Sequence, residues 1–219
     1  MPRQVEIITG TGTAYPACLR PGTPADRTEL EKAWLPLLER GPATWLDREW
    51  PWRTFGLSDL HFDENAEWLV IADELGTTPS GEFFGVLVTT GPATAQQVGI
   101  DELLEMDGES MMWVEYIAIA PSLRRDCPAQ FRRKSLVKAV GPQLMRAAIS
   151  RSEALGCGGR ICLHAEGDDA RETYTTKWRM RGLGYATHRV GGAYPVCFGD
   201  AGWAAEFCSG PSREGRSNR

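Results

Sequence analysis

Four cations crowd one short stretch of an otherwise acidic chain. Arg132, Arg133 and Lys134, followed by Lys138, precede the helix pattern PQLMRAAISRSEAL, which stops at Gly156. The whole chain carries 24 Lys and Arg against 29 Asp and Glu, a formal net charge of −5, so the basic cluster is local. Backbone N–H groups at a helix start already favour negative charge, and cations beside them can hold a phosphate. The competing reading of such a run is a solvated face. The remaining residues suited to chemistry are less organised. Cys18, Cys127, Cys157, Cys162, Cys197 and Cys208 form no C-x-x-C pair and match no zinc spacing, so neither a metal nor a disulfide framework is expected. His164 lies in the strand pattern ICLHA and reads as a hydrogen-bonded structural histidine; His61 and His188 have no evident partner.

The elements that must position the cluster form a repeating unit. MMWVEYIAIA is an apolar strand pattern ending at Pro121, and the basic stretch, the helix, the strand pattern GRICLHA and a second helix pattern, ARETYTTKWRMRGLGY, follow it. Strand, basic loop, helix, strand, helix makes an anion-binding α/β core. Upstream, QVEIITG reads as one strand. Thr23-Pro24 reads as an N-cap with proline at the first helical position, opening a helix through Leu30, Trp34, Leu37 and Leu38 with a kink at Pro36. Trp45, Trp50, Trp52 and Phe55 read as core bordering a substrate cleft. EWLVIADEL and EFFGVLVTTG form a hairpin, a short helix is expected at 100–106, and THRV and AYPVCF close the chain as strands. The expected organisation is one domain over 1–209 and a disordered tail over 210–219.

Composition narrows the function classes. A 42% hydrophobic, 24% charged chain is ordinary globular protein. Its negative charge argues against a dedicated nucleic-acid binder. No apolar run reaches the roughly 18 residues of a membrane span, and MPRQVEIITGTG lacks a signal pattern, so a cytoplasmic protein with reduced thiols is expected.

Three segments resemble the GNAT superfamily of acyl-CoA-dependent N-acetyltransferases: Glu115-Tyr-Ile-Ala-Ile-Ala-Pro121 with Arg124, the loop and helix start through Gly141, and Ala170-Arg-Glu-Thr-Tyr174. The resemblance covers about 111–185. It implies an α/β (α+β) fold with a mixed central sheet flanked by helices, and acetyl-CoA as co-substrate. It further implies that the backbone of Ile117, Ala118 and Ile119 pairs with the pantetheine arm and that the Tyr174 hydroxyl lies near the thioester sulfur. The phosphate loop would be Leu136-Val-Lys138-Ala139-Val140-Gly141, in which alanine stands where the family has its first glycine and leucine where it has Gln or Arg. Arg132, Arg133, Lys134 and Lys138 would compensate.

Acetyl transfer to an amine needs a base for the ammonium, stabilisation of the oxyanion and a proton for the departing thiolate. Glu115, alternating with Trp113 and Ile117 on one strand face, is the candidate base, and Tyr174 the candidate acid. The implied activity is acetyl transfer to an amine of a small molecule or protein. The alternative is a GNAT-like ligand-sensing or protein-interaction module that has lost catalysis.

Overall fold

The structure is a computed structural model, and it describes residues 2–9, 14–42, 66–73, 83–104, 109–124, 126–130, 137–187 and 193–210. The tryptophan-rich passage, His61, His188, Arg132, Arg133, Lys134 and the segment 211–219 lie outside the described residues. Nine strands form one sheet in the order β6-β1-β2-β3-β4-β5-β7-β9-β8. They are β1 (Arg3–Thr9), β2 (Ala14–Pro21), β3 (Glu67–Ala72), β4 (Phe83–Thr94), β5 (Ser110–Ile119), β6 (Val137–Lys138), β7 (Ile161–His164), β8 (Arg181–Thr187) and β9 (Ala193–Gly199). The helices are α1 (Pro24–Arg40), α2 (Ala95–Val98), α3 (Asp101–Leu104), α4 (Val140–Ala154), α5 (Asp168–Glu172) and α6 (Ala201–Ser209). Every pairing is antiparallel except that of β5 with β7. The expected mixed α/β architecture is the observed one.

Local chemistry explains how the elements start and stop. Thr23 caps α1 as expected: its hydroxyl accepts from the Asp26 N–H at 3.2 Å, and Asp26 accepts in return from the Thr23 N–H at 2.8 Å. Arg20 on β2 forks onto the same carboxylate, which ties the strand to the helix it precedes. Pro36 sits inside α1 without ending it. Leu30, Trp34 and Leu38 face the main core, joined there by Val140, Leu144 and Ala148 of α4 and by Val70, Val86 and Tyr116 of the sheet. A second cluster lies where Ile100 and Leu103 cover Met111, Trp113, Cys162 and Phe198.

Three expectations are corrected. The helix expected to run from Ala170 through Tyr185 stops at Lys177; Arg179 then adopts a left-handed φ of 60°, and 181–187 form strand β8 on β9. Long-range pairing overrides the helical period there. Strand β2, broken up in sequence by two prolines, and helix α6 have no counterpart in the sequence reading. At the far end of the sheet, Glu102 of α3 accepts from the Gly184 N–H at 3.1 Å, and its backbone carbonyl accepts from Arg181. All six cysteines are described, and no disulfide joins them. Among the described residues, no helix is long and apolar enough to cross a membrane.

Candidate active site

Strands β5 and β7 are held together over three residues only, Met112–Val114 against Ile161–Leu163. Among the described residues, β5 beyond Val114 pairs with β4 alone, and its other edge, where β7 has parted from it, is the gap. A β-bulge decides what faces that gap. Pairing with β4 runs from Gly85–Ile119 to Val88–Tyr116 and resumes at Thr89–Val114, leaving Glu115 as the extra residue. On the β7 side of the bulge, the Met112 N–H donates to the Arg160 carbonyl; past it, the Ala120 N–H donates to Phe84 on the β4 side. An even separation would keep both N–H groups on one edge, so the inserted residue has reversed the phase.

The reversal sorts the three expected backbone contacts. Ala118, two residues from Ala120, turns its N–H and carbonyl to β4, whereas Ile117 and Ile119 turn theirs to the gap. The Ile119 carbonyl accepts from the Arg124 guanidinium, Nε at 3.3 Å and Nη2 at 3.2 Å. Ala118 is therefore poorly placed for an edge contact.

The bulge also corrects the expected alternation of Trp113, Glu115 and Ile117. Thr90 and Val88 share a face of β4, so their partners Trp113 and Tyr116 share one too, and Ile117 falls on the opposite face. Glu115 stays on Trp113's side: the Thr90 hydroxyl, fully buried, donates to Glu115 Oε1 at 2.8 Å. His164, at the end of β7, meets Trp113 edge-to-face with ring centres 4.9 Å apart, and Tyr194 lies 6.1 Å from it. Thr90 is a residue the sequence reading missed. Its role depends on the register of β4 against a bulged partner, which no local pattern encodes.

Helix α4 begins beside the same strands. Lys138, in the two-residue strand β6, pairs with Ile8 of β1, and Ala139 follows with φ 69° and ψ 6°. That is the left-handed conformation in which glycine is at ease and which costs an L-residue about 1–2 kcal/mol. The sequence departs from glycine here, but the backbone keeps the glycine shape. Val140 and Gly141 form the first turn, and no side chain caps Ala139. Gly141 lies against the ring of Trp178: a β-carbon there would sit 3.3 Å from Cζ2 and 3.5 Å from Cη2.

Tyr174 sits in a π-helical turn, Thr173–Lys177, that continues α5; the Trp178 N–H donates five residues back to Thr173 at 2.9 Å. Its side chain joins the main core, 9% exposed, and its ring lies 5.4 Å from that of Trp178. Burial pushes its phenol above the ordinary tyrosine range, with Cys197 and Glu166 adding to the rise. The hydroxyl therefore holds its proton throughout the neutral range. Among the described residues, no group of three or more His, Cys, Asp or Glu could hold a metal ion.

No protein-family model and no curated protein matches this sequence. Solved structures do resemble its fold. NAA60 of Arabidopsis thaliana, in complex with a bisubstrate analogue, aligns with a TM-score of 0.53 at 13% identity over 83% of this chain and 97% of that one. Two looser likenesses are AAC(6')-Ib in complex with parmomycin and acetyl-CoA and an acetyltransferase from Corynebacterium glutamicum. Their TM-scores are 0.47 and 0.44 and their identities 15% and 16%; they cover 89% and 90% of this chain and 98% and 97% of their own. With its parallel pair β5–β7 parting beyond Val114 and helix α4 packed beside these strands, the chain shares the overall fold of NAA60.

Proposed function

We propose that this chain transfers an acetyl group from acetyl-CoA to an amine of a small molecule or protein. The observation that carries the reading is the bulge at Glu115. One inserted residue turns the Ile117 and Ile119 backbones to the gap, and that residue is the carboxylate Glu115. The pantetheine arm, an extended amide chain, would pair with that open edge as an added strand does. The pyrophosphate would sit at the start of α4, on the Val140 and Gly141 N–H groups and the cations of the preceding loop. The complex of NAA60 with a bisubstrate analogue supports a site of this fold that takes two substrates together.

In this reading Glu115, oriented by Thr90, takes the proton of the incoming ammonium directly or through water. The free amine adds to the thioester carbonyl, the tetrahedral intermediate collapses, and the C–S bond breaks. Tyr174 meets the departing sulfur. Its raised pKa lies above the roughly 8.5 of an ordinary thiol, so the phenol contributes a hydrogen bond to the developing thiolate rather than a lasting proton. The proton released by the amine completes the thiol, and the atoms balance as amide plus CoA.

The left-handed backbone of Ala139, which glycine adopts without strain, favours this reading over a catalytically degenerate module. Calorimetry of acetyl-CoA against the protein tests it. Binding that weakens steeply with added salt is expected, since cations supply much of the phosphate grip. If neither acetyl-CoA nor CoA binds at millimolar concentration in low salt, the module reading replaces it.

A further inference from the structure

One side chain touches both ends of the proposed cofactor site. The Trp178 ring packs on Gly141 in the first turn of α4 and, 5.4 Å away, on the ring of Tyr174. Its position is fixed from several directions. Its N–H closes the π-helical turn on Thr173, and its carbonyl accepts from the Trp203 indole of α6 at 2.6 Å. Phe207 of α6 meets its ring at 5.6 Å, and Arg146 of α4 lies over Phe207 at the same distance. Arg179, the next residue, takes a left-handed φ of 60° that turns the chain sharply away into β8. A non-glycine residue in that region costs of the order of 1–2 kcal/mol and persists where its surroundings dictate it. The turn, α6 and α4 together dictate where the indole sits.

Resting on the acetyl-CoA reading above, we propose that Trp178 is a positioning residue that sets the phosphate-binding start of α4 against Tyr174. An indole is rigid, with two side-chain torsions, so it transmits a displacement at one rim to contacts at the other. A shift of the α4 start on gripping a phosphate would press on the Cζ2–Cη2 edge of Trp178. The ring would carry that shift to Tyr174, registering the phenol against the sulfur of a cofactor whose phosphates are already seated.

The test uses the intact chain and adenosine bisphosphate, the nucleotide half of CoA without its pantetheine arm, which cannot reach Tyr174 itself. Tyrosine-ring NMR, with the Tyr174 resonance identified by its loss in Tyr174→Phe, should show that resonance shift on nucleotide binding. In Trp178→Leu, and to a lesser degree in Trp178→Phe, the nucleotide should still bind while the shift disappears. Turnover supplies a second arm. Gly141→Ala pushes a methyl onto the indole and should lower kcat about tenfold, within the range for small misplacements of a reacting group. Adding Trp178→Phe, which removes the obstructing rim, should restore most of that kcat. A methyl acting directly on the phosphate would raise KM instead and would not be rescued. Nucleotide binding without a Tyr174 shift, or an unrescued kcat, overturns the role of Trp178 alone. Failure of the nucleotide and of acetyl-CoA to bind wild type overturns the cofactor reading beneath it.

Discussion

Gly85 offers a way to move the start of α4 from the sheet beneath it. It lies on β4 directly under the helix. A β-carbon there would stand 2.7 Å from Val140 Cγ1, 2.9 Å from Leu144 Cδ1 and 3.2 Å from the Ala118 carbonyl, all short of the 3.4 Å at which ordinary contact begins. Val140 and Leu144 are buried in the main core, so neither side chain can swing clear. Overpacking of this kind costs about 1–3 kcal/mol. Replacing glycine returns roughly 0.4–1 kcal/mol by restricting the unfolded chain. Gly85→Ala should therefore destabilise the protein by about 0.5–2 kcal/mol net, which for a chain of this size lowers Tm by roughly 1–8 °C. The cheapest relief is for the first turn of α4 to lift off the sheet, carrying Val140 and Gly141 with it. If about 1 kcal/mol of the cofactor's binding energy is lost in drawing the turn back, the Kd for acetyl-CoA rises roughly fivefold. Scanning calorimetry and titration calorimetry read the two effects. Adding Val140→Ala removes the closest clash and should recover the cofactor affinity, though not the lost burial. An unchanged or higher Tm together with an unchanged Kd would refute the reasoning.

Removing the hydrogen bond to the developing thiolate in Tyr174→Phe should lower turnover by about 10²-fold with little change in cofactor affinity. Because burial raises the Tyr174 pKa, its contribution to stability is fully present below the unfolded value near 10 and is lost as pH rises above it. The variant should thus lose less stability than wild type in urea titrations above about pH 10. The earlier alkaline loss from cysteines such as Cys197, pushed up to about 11 by burial, should remain in both. Identical alkaline profiles would exclude Tyr174 as a source. Glu115→Gln should depress turnover most at low pH, where free amine is scarce; a uniform loss across pH would point to a structural carboxylate. At Asp26, burial pushes the carboxyl up, but hydrogen bonds from Arg20 and Thr23 outweigh it and hold the pKa below the usual value. Asp26→Asn should cost about 1–2 kcal/mol at neutral pH, toward the low end for charge-assisted bonds because Arg20 is partly exposed. The cost should fade as acid protonates wild-type Asp26, and a difference that persists at pH 2 would count against the pairing.

What was legible in the sequence was local. Thr23-Pro24 announced the start of α1 through cap chemistry, and Gly156, at φ 78°, marked the exit of α4. The apolar runs at 67–75 and 82–91 announced β3 and β4, which span Glu67–Ala72 and Phe83–Thr94. What was illegible depended on partners far along the chain. The bulge at Glu115 is defined only against β4, and a one-residue slip leaves no mark on the apolar pattern of β5. Strand β8 falls where the sequence reads as a glycine-marked helix exit, and its pairing with β9 makes it a strand. Ala139 shows the reverse: the residue type argued against a glycine loop, while its backbone takes the left-handed conformation that suits glycine. Identity at a position and conformation at that position carry different information.

The last strand of the sheet bears on how copies of this protein could meet. An outermost strand invites a second sheet to continue it, since its N–H and carbonyl groups form a template. On β8 part of that template is already occupied, because the Glu102 carboxylate holds the Gly184 N–H, with the Arg181 guanidinium on the Glu102 carbonyl beside it. The pairing of β8 with β9 also slips between Gly182 and Tyr185, which breaks the straight ladder an incoming strand would need. Continuous sheet extension through β8 would require α3 to release the Gly184 N–H and the slip to be mirrored. Tyr185 remains 63% exposed beside this guarded stretch, so contact there would go through a side chain, with the ladder left as it is.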